Sequence, residues 1–282
     1  MRRRALLLAG LAVSAWPMAA VLAQTRGYIA RSLNQPVPGG VAVVDLGVAG
    51  KAPAATFQAR PVLVVRDSDT RWVAVVGLSL KVPVGQQKLS VTQNGAAREL
   101  AFAVRGKEYA AQHITLKNRR QVNPDPQDLK RIERELAAQN AAYAAFRADV
   151  TPSNVILDRP VRGGRLSSPF GLRRFFNGQE RNPHSGLDFA VPAGTPIRAP
   201  AAGKVVLVGD YFFNGKTLFI DHGQGPISMF AHLSAIDVEL GEEVARGALV
   251  GKVGATGRAT GPHLHWNVSL NDARVDPAIF IQ

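Results

Sequence analysis

The run Gly261-Pro262-His263-Leu264-His265-Trp266-Asn267-Val268 constrains the fold more than any other stretch of the chain. Side chains alternate between the two faces of a β-strand with a period of two, so an extended backbone turns His263 and His265 to one side while Leu264 and Trp266 point into a core. Two imidazoles then meet one pocket. Such a pair can also be solvated or hydrogen-bonded on a half-exposed strand, and the other histidines decide between these readings. His184 precedes Asp188 by four residues in His184-Ser185-Gly186-Leu187-Asp188, and His232 stands in Phe230-Ala231-His232-Leu233. Together they offer the imidazole and carboxylate ligands that zinc prefers. Gly186 inside the first motif favours a strand-to-loop corner over a helical turn, although the spacing suits both.

The chain contains no cysteine, so metal ligation falls to histidine and carboxylate, and neither a disulfide nor a lipid-modified cysteine is expected. Residues 1–23 read as a secretory signal. Arg2-Arg3-Arg4 precedes an apolar run from Ala5 to Trp16, and Val21-Leu22-Ala23 makes a small-residue cleavage site before Gln24. That run is too short to span a bilayer, so no transmembrane segment is expected in the mature chain. The formal net charge is +13, and removing the three signal arginines leaves +10. A surplus of that size favours anionic surroundings, such as an acidic envelope polymer. Export and the scatter of the basic residues, which are not interleaved with aromatics, argue against nucleic acid as a partner.

The mature chain divides into three parts. Residues 24–112 carry short β-rich runs broken by Pro38-Gly39-Gly40, Asp67-Ser68-Asp69, Pro83-Val84-Gly85 and Gln93-Asn94-Gly95. Asn-Gly between two such runs is a strong hairpin signal, and strands at this spacing predict a small β-sandwich, with the immunoglobulin-like arrangement as a candidate. It carries no catalytic constellation; targeting, substrate positioning or covering of the active site are its open roles. Residues 113–153 form a linker with one amphipathic helix. Asp125 is placed to cap it, Pro126 to open it, and Leu129, Ile132, Leu136, Tyr143 and Phe146 to form its apolar stripe. Residues 154–282 are again β-rich and broken by glycine and proline, and predict an antiparallel β catalytic domain without a long helix. The fold class is therefore mainly β.

Zinc hydrolysis of an amide needs three protein ligands, an open position for water, and groups that manage the protons and the oxyanion. There is no His-Glu-x-x-His motif, so histidines left over after ligation must handle the protons. His222, in Asp221-His222-Gly223, reads as a turn residue that is either structural or a support to the ligand set, and His113 as a surface residue.

The segment from Gly163 to Phe280 resembles the lysostaphin and β-lytic type of zinc metallopeptidases, endopeptidases that cut the peptide bridges of peptidoglycan. The matching pieces are Ser167-Ser168-Pro169-Phe170-Gly171-Leu172-Arg173, His184-Ser185-Gly186-Leu187-Asp188, Ala199-Pro200-Ala201-Ala202-Gly203, Ile220-Asp221-His222-Gly223, Ala231-His232-Leu233 and Gly261-Pro262-His263-Leu264-His265, in the family's order. The resemblance implies His184, Asp188 and His265 as Zn2+ ligands and His232 and His263 as the acid/base and oxyanion groups, acting through metal-activated water. Two departures bear on specificity. Phe230 stands where relatives commonly have a tyrosine, which removes a hydroxyl near the site, and Asn267 stands where many have glutamate. The loop from Arg174 to Pro183 is expected to line the groove.

The expected function is thus a zinc-dependent endopeptidase acting on the peptide cross-links of peptidoglycan, exported and located in the periplasm or, failing that, secreted or at the cell wall. Two alternatives share parts of this reading: a noncatalytic peptidoglycan-binding activator of cell-wall hydrolases, and a secreted zinc peptidase acting on Gly-rich proteins.

Overall fold

In a computed structural model of the chain, residues 27–281 are described; the signal-like segment of residues 1–23 lies outside them. After a short helix, Tyr28–Leu33, come two small sheets. Val41–Val48, Arg71–Gly77 and Leu63–Arg66 form a three-stranded antiparallel sheet in that order. Arg60–Pro61, Ala54–Phe57, Gly85–Gln93 and Ala96–Val104 form a four-stranded one. The last two strands pair in unbroken register on either side of Asn94-Gly95, the hairpin that the Asn-Gly signal predicts.

The three-stranded sheet is apolar on both faces because it packs on both. Ala42, Val44, Leu46, Val64, Ala74 and Val76 face the four-stranded sheet and close the sandwich core. Val41, Leu63, Val65, Val73 and Val75 alternate with them and join the core of the C-terminal domain, with Leu187, Phe189, Leu264, Trp266 and Val268. The near-continuous run Trp72 to Val76 is what a strand buried on both faces requires.

The linker is more structured at its start than the sequence suggests. Ala111–Ile114 pairs in parallel with Arg173–Phe176, which in turn pairs with Gln179–Glu180. The helix Pro126–Tyr143 follows, with the Asp125 carboxylate accepting hydrogen bonds from the Gln127 and Asp128 amides. The expected stripe needs correction. Ile132 and Tyr143 are buried, but Leu129 is 54% and Leu136 50% exposed, because the helix turns Asp128, Ile132, Gln139, Ala142 and Tyr143 inward. Polar groups are tolerated there since each has a partner: Asp128 accepts from Arg120, and the Gln139 carbonyl oxygen accepts from Asn214 at 2.7 Å. Ala142 and Tyr143 pack on Phe219, Ile227 and Met229.

The C-terminal domain is built on one ten-stranded antiparallel sheet. Its main path runs Glu243–Val244, Gly203–Tyr211, Gly215–Asp221, Ile227–Ile236, Leu264–Leu270, Leu187–Ala190, Arg165–Ser168. Leu249–Val253 pairs with both Ile227–Ile236 and Pro196–Arg198, and Ala273–Val275 with Leu264–Leu270. The histidine-bearing strand therefore lies in mid-sheet, where neighbouring strands fix its register from both sides.

Candidate metal centre

Register assembles the centre. His265 stands directly opposite Asp188 on one neighbouring strand and Ala231 on the other, and cross-strand partners share a face. Leu264 and Trp266, one residue to either side, are fully buried on the opposite face. His184 arrives from the loop before Leu187–Ala190. Its corner turns at Gly186, where an added Cβ would lie 2.5 Å from the Trp266 carbonyl oxygen and 2.6 Å from the His265 ring, so only glycine fits. Asn267, two residues from His265, donates from Nδ2 to the Ser185 carbonyl at 2.8 Å and braces that corner.

Three ligand atoms converge. His184 Nε2 lies 3.0 Å from Asp188 Oδ1 and 3.0 Å from His265 Nδ1, and His265 Nδ1 lies 2.8 Å from Asp188 Oδ1. His184 Nδ1 is 2.7 Å from the Pro169 carbonyl, which only accepts, so Nδ1 carries the proton and Nε2 presents a lone pair. At most one proton, on His265 Nδ1, can stand among these three atoms. A cation replacing it would find two imidazole nitrogens and a carboxylate oxygen, a donor set suited to zinc. The triangle is a few tenths of an ångström tighter than the edge of about 3.3 Å that bonds of about 2.0–2.1 Å imply, a small adjustment for side chains. The residues fit the metal that the sequence implies, and His184, Asp188 and His265 are the set among the described residues that could hold one ion.

Two members of this set, Asp188 and His265, are shifted downward. Burial alone raises Asp188, but the close imidazoles of His184 and His265 outweigh it and hold the carboxyl well below the usual range. Burial pushes His265 down to about 4 against the upward pull of Asp188. Arg174 donates from Nη2 to Asp188 Oδ2 at 3.1 Å and to Ser168 Oγ at 3.3 Å, occupying the carboxylate oxygen that faces away from the triangle. Partners of this kind orient a ligand and tune its affinity.

Beside the triangle stand His232 and His263, ring centroids 4.7 Å apart, with His232 6.1 Å from His265. Alternation from Ala231 would aim His232 away from the cleft. It does not, because one extra residue separates the pairs Lys216–Leu233 and Leu218–Phe230, and His232 takes φ +65°. This bulge swings the ring back to the site. His232 Nδ1 lies 2.8 Å from the Thr256 carbonyl and His263 Nδ1 2.9 Å from the Gly261 carbonyl, so each Nδ1 donates and each Nε2 is an acceptor. Burial first, then the neighbouring imidazoles His263 and His265, push His232 down to about 3.

All five residues line one open cleft of about 600 Å³. The hairpin Arg173–Phe176 and Gln179–Glu180 supplies one wall through Arg174 and Phe176, and the linker helix another through Leu136, Gln139 and Tyr143. A second cleft of about 670 Å³, around Asp158 and Arg198, holds no comparable constellation; Asp158 is paired with Arg246. Phe230 corrects one expectation: it is fully buried opposite Trp266, on the core side of its strand, so it takes no part in the cleft. His222 is buried, with Nδ1 2.9 Å from the Ala202 carbonyl and Nε2 2.9 Å from Ser228 Oγ, a structural residue as read. His113 is exposed and stacks on Phe175, with ring centroids 4.7 Å apart. Sequence reasoning did not single out Arg174 or Arg258; a basic residue beside a glycine or aromatic in each cleft loop was the signal on offer.

Comparison with known proteins agrees with this geometry. The family described as "Peptidase family M23" matches residues 182–277, and "Peptidase family M23 N-terminal domain" matches residues 34–107. "DD-carboxypeptidase/endopeptidase Mpg" of Neisseria meningitidis serogroup B is 42% identical over 118 residues, 42% of this chain. "Peptidoglycan DD-endopeptidase ShyA" of Vibrio cholerae is 42% identical over 113 residues, 40% of this chain. The matched segments span only 27% and 26% of those two relatives, about a quarter of their length. A crystal structure from Pseudomonas aeruginosa, described as of the M23 peptidase type, is 61% identical, covers 90% of this chain and 98% of its own, and superposes with a TM-score of 0.77. With both family regions in place and a relative of that similarity matched over nearly all its length, the chain belongs to peptidase family M23.

Proposed function

We propose that the protein is a zinc-dependent endopeptidase that hydrolyses the peptide cross-links of peptidoglycan in the periplasm. The observation that carries this reading is the convergence of His184, Asp188 and His265 on one point at the floor of an open cleft, beside two imidazoles whose Nε2 atoms have no hydrogen-bond partner among the described residues. The substrate class is supported by the relatives described as peptidoglycan DD-endopeptidases, and the compartment by the signal-like run of residues 1–23.

When bound, zinc would supply a Lewis acid for the peptide carbonyl and a water of lowered pKa. The chain supplies the rest. His184 Nε2, Asp188 Oδ1 and His265 Nδ1 would hold the ion, and Arg174 fixes the carboxylate that carries one of these atoms. His232 and His263 each keep a proton on Nδ1, bonded to a backbone carbonyl, and so offer Nε2 to take a proton from the attacking water. Once protonated, an Nε2–H faces the negative charge that develops on the carbonyl oxygen and is placed to return its proton to the leaving amine.

The test is digestion of purified peptidoglycan by the mature protein, with products resolved by mass. Conversion of cross-linked dimers to monomers with zinc, and its absence with chelator or in His265→Ala, is the expected result. Zinc-loaded protein that binds peptidoglycan but releases no product would replace this reading with the noncatalytic activator.

A further inference from the structure

The cleft contains a guanidinium that the chemistry above does not use. Arg258 lies on the loop between Leu249–Val253 and Leu264–Leu270, five residues before His263. Its head lies over two rings, 4.4 Å from the Phe176 centroid and 4.3 Å from that of Phe213, and all three residues line the cleft of the candidate metal centre. Among the described residues its side chain makes one hydrogen bond, a long one of 3.4 Å from Nη1 to the Gln121 carbonyl. Arg174 and Arg274, in the same cleft, are paired with Asp188 and Asp272 at 3.1 and 3.0 Å. Among the described residues, no carboxylate pairs with Arg258.

The loop holds this group in place. The Arg258 amide donates to the Phe213 carbonyl at 2.8 Å, and Gln121 Nε2 donates to the Gly257 carbonyl at 3.1 Å. Gly257 has φ +69°, and a Cβ there would lie 2.3 Å from the Gly215 nitrogen. Thr256, whose carbonyl fixes His232, also accepts from the Lys216 amide through its hydroxyl at 3.0 Å. The backbone that aims a candidate catalytic imidazole thus aims Arg258 two residues later. Burial, and then the nearby charges of Arg174 and Arg181, draw its pKa down to about 10, the mark of a desolvated cation in a positive field. Two rings lie against the head and only one long hydrogen bond is drawn from it among the described residues, so donors remain that match a carboxylate in two parallel hydrogen bonds.

Building on the peptidase reading, we propose that Arg258 is a specificity-determining residue whose guanidinium edge receives a free carboxylate of the peptide substrate. The protein would then favour cross-links that carry a carboxylate in this cleft over those in which the same group is amidated.

The experiment uses the zinc-loaded chain and two ligands that cannot be cut, a monomeric stem tetrapeptide with free carboxylates and the same peptide with them converted to carboxamides. Calorimetric titration should give about tenfold tighter binding of the carboxylate form, as a charge-assisted hydrogen bond implies. The ratio should fall to within about twofold in Arg258→Gln and lie between in Arg258→Lys. Arg173→Gln, an exposed arginine of the neighbouring hairpin, should leave it unchanged. Equal binding of the two forms by the wild-type chain, binding of neither, or an equal loss on both forms in Arg258→Gln would overturn the proposal. Cross-linked dimers in both forms serve as a parallel assay. If neither dimer is cut while the binding preference holds, the peptidase reading falls and the carboxylate site stands. If both are cut alike and the monomers bind alike, the carboxylate site falls and the peptidase reading stands.

Discussion

Two constellations in this protein contain the same chemical parts. One joins His184 and His265 to Asp188, with Arg174 on the far carboxylate oxygen. The other joins His222 to Ser228, beside Asp221, whose Oδ2 pairs with Arg147 at 2.8 Å. Their histidines and aspartates are all buried. In the second, every polar atom has its own partner: His222 uses both ring nitrogens, and Asp221 Oδ1 accepts from the Gly223 amide. In the first, three acceptor-type atoms crowd one point that holds at most one proton. Burial of charge and imidazole is therefore common to a brace and a candidate metal centre. What separates them is whether the lone pairs are dispersed among donors or gathered where only a cation can satisfy them.

The largest effect that would break this contrast is at the triangle itself. Removing the metal with chelator, or substituting His265→Ala, should abolish peptidoglycan cleavage, and zinc should restore only the wild-type protein. Next, His232→Ala and His263→Ala should each lower kcat by about 10²–10⁴-fold while the chain still binds zinc, since the proposed mechanism gives them proton transfer and no part in holding the ion; turnover and metal content measured on the same sample check this. The brace should respond through stability. Burial pushes His222 down to about 4, below its value of about 6.5 in the unfolded chain, so the folded state binds fewer protons between these limits. The full contribution is present above pH 6.5, and about 3 kcal/mol is lost as pH falls from 6.5 to 4. Denaturant unfolding across that range should show this slope in the wild type and a shallower one in His222→Gln, with cleavage near neutral pH retained. Arg174→Gln gives the smallest effect, a loss of about 10–100-fold in zinc affinity, read by competition with a chromophoric chelator.

How much of this was legible in the sequence depended on whether a regular period governed the residue. His263, His265, Leu264 and Trp266 were readable because a strand in mid-sheet obeys its period of two. Asp125 and Pro126 marked their helix start for equally local reasons. His232 could not be derived from alternation, because the bulge that aims it inserts one residue and reverses the face. Its residue type made it a candidate, but only the family resemblance gave it an acid/base role. The helical period located Pro126–Tyr143 but not its rotation, since Asp128 and Gln139 were buried by partners, Arg120 and Asn214, that are distant or unpatterned in sequence. The same limit misplaced Phe230. Its position two residues before His232 suggested the site, whereas its strand turned it into the core opposite Trp266.

The measurement that bears most directly on the contrast is the zinc content of the purified full chain, set beside that of His265→Ala and His222→Gln after equal exposure to the metal. The account predicts one ion per chain in the wild type and in His222→Gln, and none in His265→Ala. Zinc retained in His265→Ala, or lost in a folded His222→Gln, would contradict it.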